Sequence, residues 1–178
     1  MRLNPSTVFV LLALVCLCPA TFGEEAAKTE TPTVEVLNGN TPVPGVLTAG
    51  QPTEEQLVAM AEAGYRTVVN MRTDGEQGNW DARAKAEALG MEYIAFPIRG
   101  AKDLTRENAE RLAELLDDAG KQPMVVHCGS SNRVGALFAM KSFFVDGKDA
   151  DTALGDGRAA GLTRMEAAVA PLLVRDDE

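Results

Sequence analysis

The sequence predicts an α/β fold of three layers, in which helices cover both faces of a central, mostly parallel sheet. Short β-branched runs alternate with amphipathic stretches along most of the chain, and this alternation is typical of parallel sheets. Glycines stand at the ends of several amphipathic stretches, where helices commonly stop. With 178 residues, of which 46% are apolar, the chain is long enough to form one domain with its own core.

Five runs of apolar or β-branched residues predict the strands, because turn-forming residues bound each of them. A turn is predicted at Asn38–Asn40, between the first two. The predicted strands are Val34–Leu37, Val46–Ala49, Tyr65–Asn70, Met91–Pro97 and Met124–His127.

Six helices are predicted between and after these strands. Thr53 and Thr105 are predicted N-caps, because a hydroxyl oxygen there accepts a hydrogen bond from a first-turn amide. The predicted helices run from Thr53 to Gly64, from Trp80 to Leu89, from Thr105 to Ala119, from Arg133 to Phe143 or Phe144, from Asp149 to Ala160 and from Thr163 to Leu173.

Residues 1–23 predict a secretory signal peptide. Arg2 gives a positive start, the run from Val8 to Cys18 is almost wholly apolar, and the small residues within Pro19–Gly23 allow cleavage after Gly23 or after Ala20. The run is too short to span a bilayer comfortably, although an uncleaved anchor is the alternative. We therefore expect a periplasmic or secreted protein, with no stable membrane insertion after cleavage. Residues 24–40 are predicted to hold a linker and the first strand, and residues 41–178 the functional domain.

Composition narrows the classes of function. Cleavage would remove Cys16 and Cys18, so that Cys128 alone would remain of the three cysteines and no intramolecular disulfide could form. The formal charge of −9 disfavours a nucleic-acid partner. The single histidine, His127, adjoins Cys128, and this pair cannot make a standard zinc site. No dinucleotide fingerprint is present either, so we expect neither a metal nor another cofactor.

The segment around Cys128 is predicted to carry the chemistry. Cys128 follows a predicted strand and precedes a predicted helix, and ligands of parallel α/β folds bind at the carboxyl ends of strands. Backbone amides of a tight loop and the positive end of the helix would stabilise a thiolate and bind an oxyanion. Arg133 adds a planar fork of donors that grips two oxygens at once. The residues predicted to bind substrate are Gly129, Ser130, Ser131, Asn132, Val134 and Gly135, the last of which permits close packing under the loop.

Two further residues are candidates for a catalytic role. Asp103 is the only carboxylate between the fourth predicted strand and the next helix, and it is the candidate general acid for a leaving oxygen. A solvated loop residue is the alternative. His127 is expected to hydrogen-bond near the loop and to tune the thiolate, with a core histidine whose hydrogen bonds are satisfied as the alternative. Arg99 and Lys102 could draw in anions.

Three segments together resemble the beta-lactamase-hydrolase-like phosphatase family, a branch of the dual-specificity-like protein tyrosine phosphatases. They are GQPTEEQL at 50–57, VVNMR at 68–72 and HCGSSNRVGAL at 127–137. The resemblance implies a phosphotyrosine-phosphatase-like α/β/α fold. It also implies that Cys128 is the nucleophile, forming a phosphocysteine intermediate, and that Arg133 binds phosphate. The expected substrate is a phosphorylated protein or a small anionic ester.

Three functions remain open at this stage. Four residues separate Cys128 from Arg133, whereas standard tyrosine phosphatases have five, and the shorter spacing also occurs in rhodanese-like sulfurtransferases. Val134 stands where a typical phosphatase has Ser or Thr. The leading interpretation is an exported phosphatase. The alternatives are a sulfurtransferase that carries a persulfide on Cys128 and a non-catalytic phosphate-binding module.

Overall fold

A computed structural model describes residues 30–76 and 78–174. Within these ranges the chain forms a five-stranded mixed sheet in the order β1-β2-β5-β3-β4. The predicted signal peptide lies outside the described residues. The strands are β1 (Asn40–Val43), β2 (Val46–Ala49), β3 (Thr67–Asn70), β4 (Glu92–Ala95) and β5 (Met124–His127).

The sheet is parallel except at one edge, where β1 pairs antiparallel with β2. The central strand β5 lies between β2 and β3, and His127 is level with Ala49 on one side and with Asn70 on the other. Because these strands run in the same direction, their carboxyl ends meet at one edge of the sheet. The residues that follow β5 are therefore placed at the centre of that edge.

Six helices are present in the described part of the chain, and two of them begin at the predicted N-caps Thr53 and Thr105. Thr53, Thr105 and Asp149 each accept a hydrogen bond from an amide in the first turn of the helix that follows. The helices are α1 (Glu54–Glu62), α2 (Ala82–Ala88), α3 (Arg106–Asp117), α4 (Asn132–Phe144), α5 (Ala150–Ala159) and α6 (Glu166–Val169).

The core is divided by the sheet into two parts, which confirms the three-layer α/β/α prediction. Alternate residues of β5 point to opposite faces: Val126 lies in one apolar cluster with Leu112 and Leu137, from α3 and α4. Val125 lies in the other cluster with Leu57, from α1. Helix α4 packs against both α3 and α5. The helix that follows β5 is thus held from several sides.

The predicted strand Val34–Leu37 is wrong. Gly50 N donates to Leu37 O at 2.7 Å, but no ladder forms, and the first strand begins at Asn40 instead. The apolar residues Val34 and Val36 are partly buried and pack against the apolar cluster that contains Leu57 of α1. Leu37 itself is 56% exposed. An alternating pattern therefore arose here from a chain that lies along the domain without pairing in the sheet.

The predicted helix from Thr163 to Leu173 is shorter and broken. Only Glu166–Val169 is α-helical, and a 3-10 turn follows at Ala170–Leu172. Pro171 lacks an amide proton, so it cannot continue the helical hydrogen bonds. At the other end, the amide of Thr163 donates to the side chain of Asn132 at 2.8 Å. This contact ties the start of the segment to the loop after β5.

None of the helices within residues 30–76 and 78–174 combines the length and the apolar character needed to cross a membrane.

Candidate active site

Cys128 lies at the centre of the sheet edge, directly after β5. Its amide donates to Ala49 O at 3.2 Å, and the amide of Met71 donates to His127 O at 2.8 Å. The loop is thus fixed from both neighbouring strands. Cys128 is 1% exposed, and it is a free thiol.

The loop from Gly129 to Asn132 is held by backbone and side-chain contacts. Gly129 O accepts from Gln51 N at 3.4 Å, and Ser130 O accepts from Asn38 Nδ2 at 3.1 Å. Ser131 adopts a left-handed conformation, with φ of 64°, which is uncommon for a residue with a side chain. The backbone therefore turns sharply just before α4 begins.

The side chains of Ser131 and Asn132 point away from the loop and toward the segment after α5. Ser131 Oγ donates to Ala160 O at 3.1 Å and is buried. Asn132 Oδ1 accepts from Thr163 N at 2.8 Å and from Thr163 Oγ1 at 3.1 Å. These two side chains are used for support. Any contact that they make with a substrate must come from their backbone.

Helix α4 begins without a side-chain cap, because Ser131 makes no capping hydrogen bond. Across the described ranges, no hydrogen-bond partner is present for the amides of Gly129, Asn132 and Arg133. Unpaired amides at a helix start favour an anion, both as donors and through the helix dipole. The loop therefore presents the backbone donors that an oxyanion site requires.

Arg133 is held by a bidentate ion pair with Glu76. Its Nη1 donates to Glu76 Oε1 at 2.8 Å, and its Nη2 donates to Glu76 Oε2. Nη1 also donates to Ile98 O at 2.8 Å. The side chain of Arg133 is only 14% exposed, and a Cβ atom built on Gly129 would lie 3.7 Å from Nη2. The guanidinium therefore lies over the start of the loop.

The Arg133–Glu76 pair fixes the charge of both groups. The hydrogen bond from Arg133 lowers the pKa of Glu76 to about 2. The same contact raises the pKa of Arg133, and the nearby Cys128 adds a smaller contribution in the same direction. Arg133 thus remains a cation beside the thiol. Glu76 was not predicted from the sequence, because it lies in a short 3-10 turn, Asp74–Glu76, with no recognisable motif.

His127 is wholly buried, and the structure shows no hydrogen bond for it to the loop. Neither ring nitrogen has a partner among residues 30–76 and 78–174. Burial lowers the pKa of His127 to about 4, with a partial offset from the backbone of Cys128. The ring is therefore neutral at pH 7. The unpaired ring nitrogens do not match a satisfied core histidine, and the predicted role of His127 in tuning the thiolate stays a prediction.

Val134 and Gly135 lie beneath the loop, in the first turn of α4. Val134 is fully buried in the core. A Cβ atom on Gly135 would lie 2.0 Å from Leu162 N and 2.6 Å from Gly157 O. Gly135 therefore lets the α5 segment pack directly against α4, at a distance that no side chain allows.

Asp103 is placed in a 3-10 turn, Ala101–Asp103, after β4, and it is engaged by Arg99. Its Oδ2 accepts from Arg99 Nε at 2.8 Å, and its Oδ1 accepts from Arg99 Nη2 at 2.7 Å. This pairing lowers the pKa of Asp103 to about 2. Arg99 and Lys102 are exposed. No hydrogen bond links Asp103 to Cys128 or Arg133 in the described structure, so a role as acid requires its release from Arg99 and a proton.

Within the described ranges, no group of three or more His, Cys, Asp or Glu side chains is arranged to hold a metal ion.

Comparison with protein families gives one match that covers most of the chain. The model described as DSP-PTPase phosphatase fused to NAD+ kinase matches residues 29–169. The beta-lactamase hydrolase-like protein of Xylella fastidiosa (strain Temecula1) is 30% identical over 123 residues, which are 65% of this chain and 28% of that protein. The protein of the same description from Agrobacterium fabrum (strain C58) is 27% identical over 96 residues, covering 52% of this chain and 22% of the relative. The chain thus spans about a quarter of these relatives.

Solved structures share the fold. P. aeruginosa TpbA in complex with pTyr is 18% identical, with a TM-score of 0.61, and the match covers 86% of this chain and 93% of that one. Tk-PTP in the active form is 20% identical, with a TM-score of 0.59, and the match covers 76% of this chain and 93% of that one. At these identities the matches establish a phosphatase-like fold, as predicted.

Proposed function

The chain belongs to the family described as DSP-PTPase phosphatase fused to NAD+ kinase. We propose that it is a cysteine-dependent phosphatase. Its proposed substrates are phosphotyrosine or small phosphate esters. One observation carries the proposal: Cys128 is buried at the start of a loop in which the amides of Gly129, Asn132 and Arg133 are unpaired in the described structure, and Arg133 is held beside it. The pTyr bound in the TpbA structure supports an aryl phosphate as substrate.

The proposed reaction has two steps. The thiolate of Cys128 attacks phosphorus, the bond from phosphorus to the ester oxygen breaks, and the leaving oxygen takes the electron pair and a proton. Water then attacks the phosphocysteine, which releases inorganic phosphate and restores the thiolate. The loop amides and Arg133 would bind the non-bridging oxygens, where negative charge is held in the transition state.

Phosphate release by the purified protein and by Cys128→Ser tests this proposal. We expect release from 4-nitrophenyl phosphate by the parent protein and none above background by the variant. Rapid quenching should trap one phosphoryl group per chain on Cys128. If the protein binds the phosphate ester but releases no inorganic phosphate from it, the protein is a binding module and the proposal is wrong.

Asp103 remains our candidate general acid. Its ion pair with Arg99 keeps it ionised at neutral pH, so donation requires Asp103 to exchange Arg99 for the leaving oxygen. Good leaving groups depart without a proton, whereas alkoxides need one. Asp103→Asn should therefore slow the hydrolysis of an alkyl phosphate by about 100-fold and leave 4-nitrophenyl phosphate much less affected.

Arg99→Gln provides the opposite perturbation. It removes the cation that lowers the pKa of Asp103, so the protonated acid should persist to higher pH. The pH–rate profile for the alkyl phosphate should then extend toward higher pH in Arg99→Gln. Equal effects of Asp103→Asn on both esters, together with an unshifted profile in Arg99→Gln, would remove Asp103 from the mechanism.

Sulfur transfer is the second candidate, and two observations favour it. The loop has four residues between Cys128 and Arg133, and the candidate acid is ionised by Arg99. Transfer from thiosulfate needs a thiolate and an oxyanion site but no acid for a leaving oxygen: Cys128 would take the sulfane sulfur, release sulfite and pass the sulfur to cyanide as thiocyanate. Thiocyanate production without phosphate release would decide for this function.

We propose that the protein is exported, on the strength of the basic start and apolar run in residues 1–23. The expected result is a mature protein whose first residue follows a cleavage site near Gly23, located outside the cytoplasm. N-terminal sequencing of protein from cell fractions tests this, and an intact Met1 in the cytoplasmic fraction contradicts it.

A further inference from the structure

A second arginine, Arg72, lies beside the loop and has no counter-ion among the described residues. It follows β3, and its side chain is partly buried. Nη1 donates to Gln51 Oε1 at 2.5 Å, but Nε is buried without any partner. Arg133 and Arg99, by contrast, are each neutralised by a bidentate carboxylate. A buried cationic donor left unpaired is costly unless a ligand completes it.

The position of Arg72 connects it to the loop in two ways. Gln51, which accepts from the Arg72 guanidinium, donates its own amide to Gly129 O at 3.4 Å. Arg72 also lies close enough to His127 to help lower the pKa of that ring. Gln51 thus contacts both the Arg72 guanidinium and the loop, and Arg72 and Cys128 follow the neighbouring strands β3 and β5.

Arg72 lines a cleft of about 460 Å³ at the carboxyl ends of β3 and β4. Trp80 and Tyr93 contribute aromatic surface to its wall. Arg83, also in the lining, stacks over the Tyr93 ring at 4.7 Å from the ring centre. The cleft therefore combines aromatic surface with two guanidinium groups, which suits a planar group that carries an oxyanion.

Two carboxylates also line the cleft, but neither neutralises Arg72. Asp81 Oδ1 caps α2 by accepting from Ala84 N at 3.0 Å. Asp74 is exposed and forms no ion pair with Arg72 in the part of the chain that the structure describes. The Nε atom of Arg72 is thus still a buried donor without a hydrogen-bond acceptor in the described structure.

We propose that Arg72 binds a second oxyanion of the substrate, so that the cleft holds a leaving group bearing its own carboxylate or phosphate. This inference rests on the proposed function, because it assigns the part of the substrate beyond the phosphoryl group at Cys128. It names a substrate class, doubly anionic aryl phosphates, within the broader set of phosphate esters.

Binding to Cys128→Ser protein, measured by calorimetry, tests the proposal without turnover. The probes are phenyl phosphate and 4-carboxyphenyl phosphate, which share the ring and differ by one carboxylate. We expect the carboxylated ester to bind at least about tenfold more tightly, since a charge-assisted pair contributes on this scale. Adding Arg72→Met should reduce that ratio to about one, and Arg72→Lys should retain part of it.

Arg66→Met is the matched control. Arg66 is exposed, lies at the opposite end of β3 and loses the same charge when replaced, so the affinity ratio should be unchanged. Thermal unfolding of each variant establishes that it is folded. Equal affinity for the two esters, failure to bind either, or a ratio that survives Arg72→Met overturns the proposal. Failure of the proposed function would be seen separately, because the parent protein, which keeps Cys128, would then release no phosphate.

Discussion

Gly135→Ala should destabilise the protein strongly, because the added methyl group has no space. The Cβ atom would lie 2.0 Å from Leu162 N, 2.6 Å from Gly157 O and 2.7 Å from Gly161 C. Ordinary contact begins near 3.4 Å, so α4 and the α5 segment would have to separate by more than an ångström. All three neighbours are backbone atoms, so no side-chain rotation can relieve the overlap.

The expected loss is about 3 kcal/mol, at the upper end of the range for overpacked cores. Gly155→Ala is the matched control. Gly155 lies within α5, and nothing lies within 4 Å of the Cβ atom built on it. Alanine there should stabilise by about 0.5–1 kcal/mol, because it restricts the unfolded chain and suits a helix. The same chemical change should thus have opposite signs at the two positions.

Urea denaturation at pH 7 measures the free energies of unfolding of Gly135→Ala and Gly155→Ala, and thermal melting measures their Tm values. For a chain of this length, 3 kcal/mol corresponds to a decrease in Tm of roughly 6–12 °C. Anion binding to Gly135→Ala should also weaken, since α4 carries the loop amides. Similar stabilities for Gly135→Ala and Gly155→Ala would refute the packing geometry proposed for α4 and α5.

Two further predictions concern charge. In Glu76→Gln, the free energy of unfolding at pH 7 should fall by about 1 kcal/mol, the discounted value for a partly exposed pair. Because the pKa of Glu76 is about 2 when folded and higher when unfolded, this deficit should fade as the pH falls from about 4.5 toward 2; a constant deficit contradicts it. The parent protein should lose roughly 3 kcal/mol between about pH 6.5 and 4, since buried His127 resists protonation while the unfolded chain accepts it. His127→Asn should remove that loss in acid denaturation profiles, and identical slopes would exclude His127 as its source.

Local signals explain what the sequence predicted well. The strand Met124–His127 has the predicted bounds, because an apolar run flanked by a proline and by a loop has little freedom in register. The predicted N-caps at Thr53 and Thr105 depend on contacts within three residues, and so does the cap at Asp149, where a helix was predicted to start. The position of Cys128 at the carboxyl end of the central strand followed from the same local reading.

Contacts between distant residues explain what the sequence did not predict. Glu76 lies 57 residues before Arg133, and nothing in its neighbourhood indicates a partner. Ser131 and Asn132 read as a flexible polar loop, yet their side chains bind the segment after α5, about 30 residues later. The Arg99–Asp103 pair is local, but its spacing alone does not separate an ion pair from a free acid.

The contacts of Ser131 and Asn132 also set an order of assembly. A growing chain that has reached Phe144 already contains Cys128 and Arg133. It still lacks the acceptor Ala160 O and the donors of Thr163. The loop can therefore take its final shape only after α5 and the residues behind it have docked. During synthesis, Ser131 and Asn132 would lack these partners until the residues through Thr163 have emerged from the ribosome.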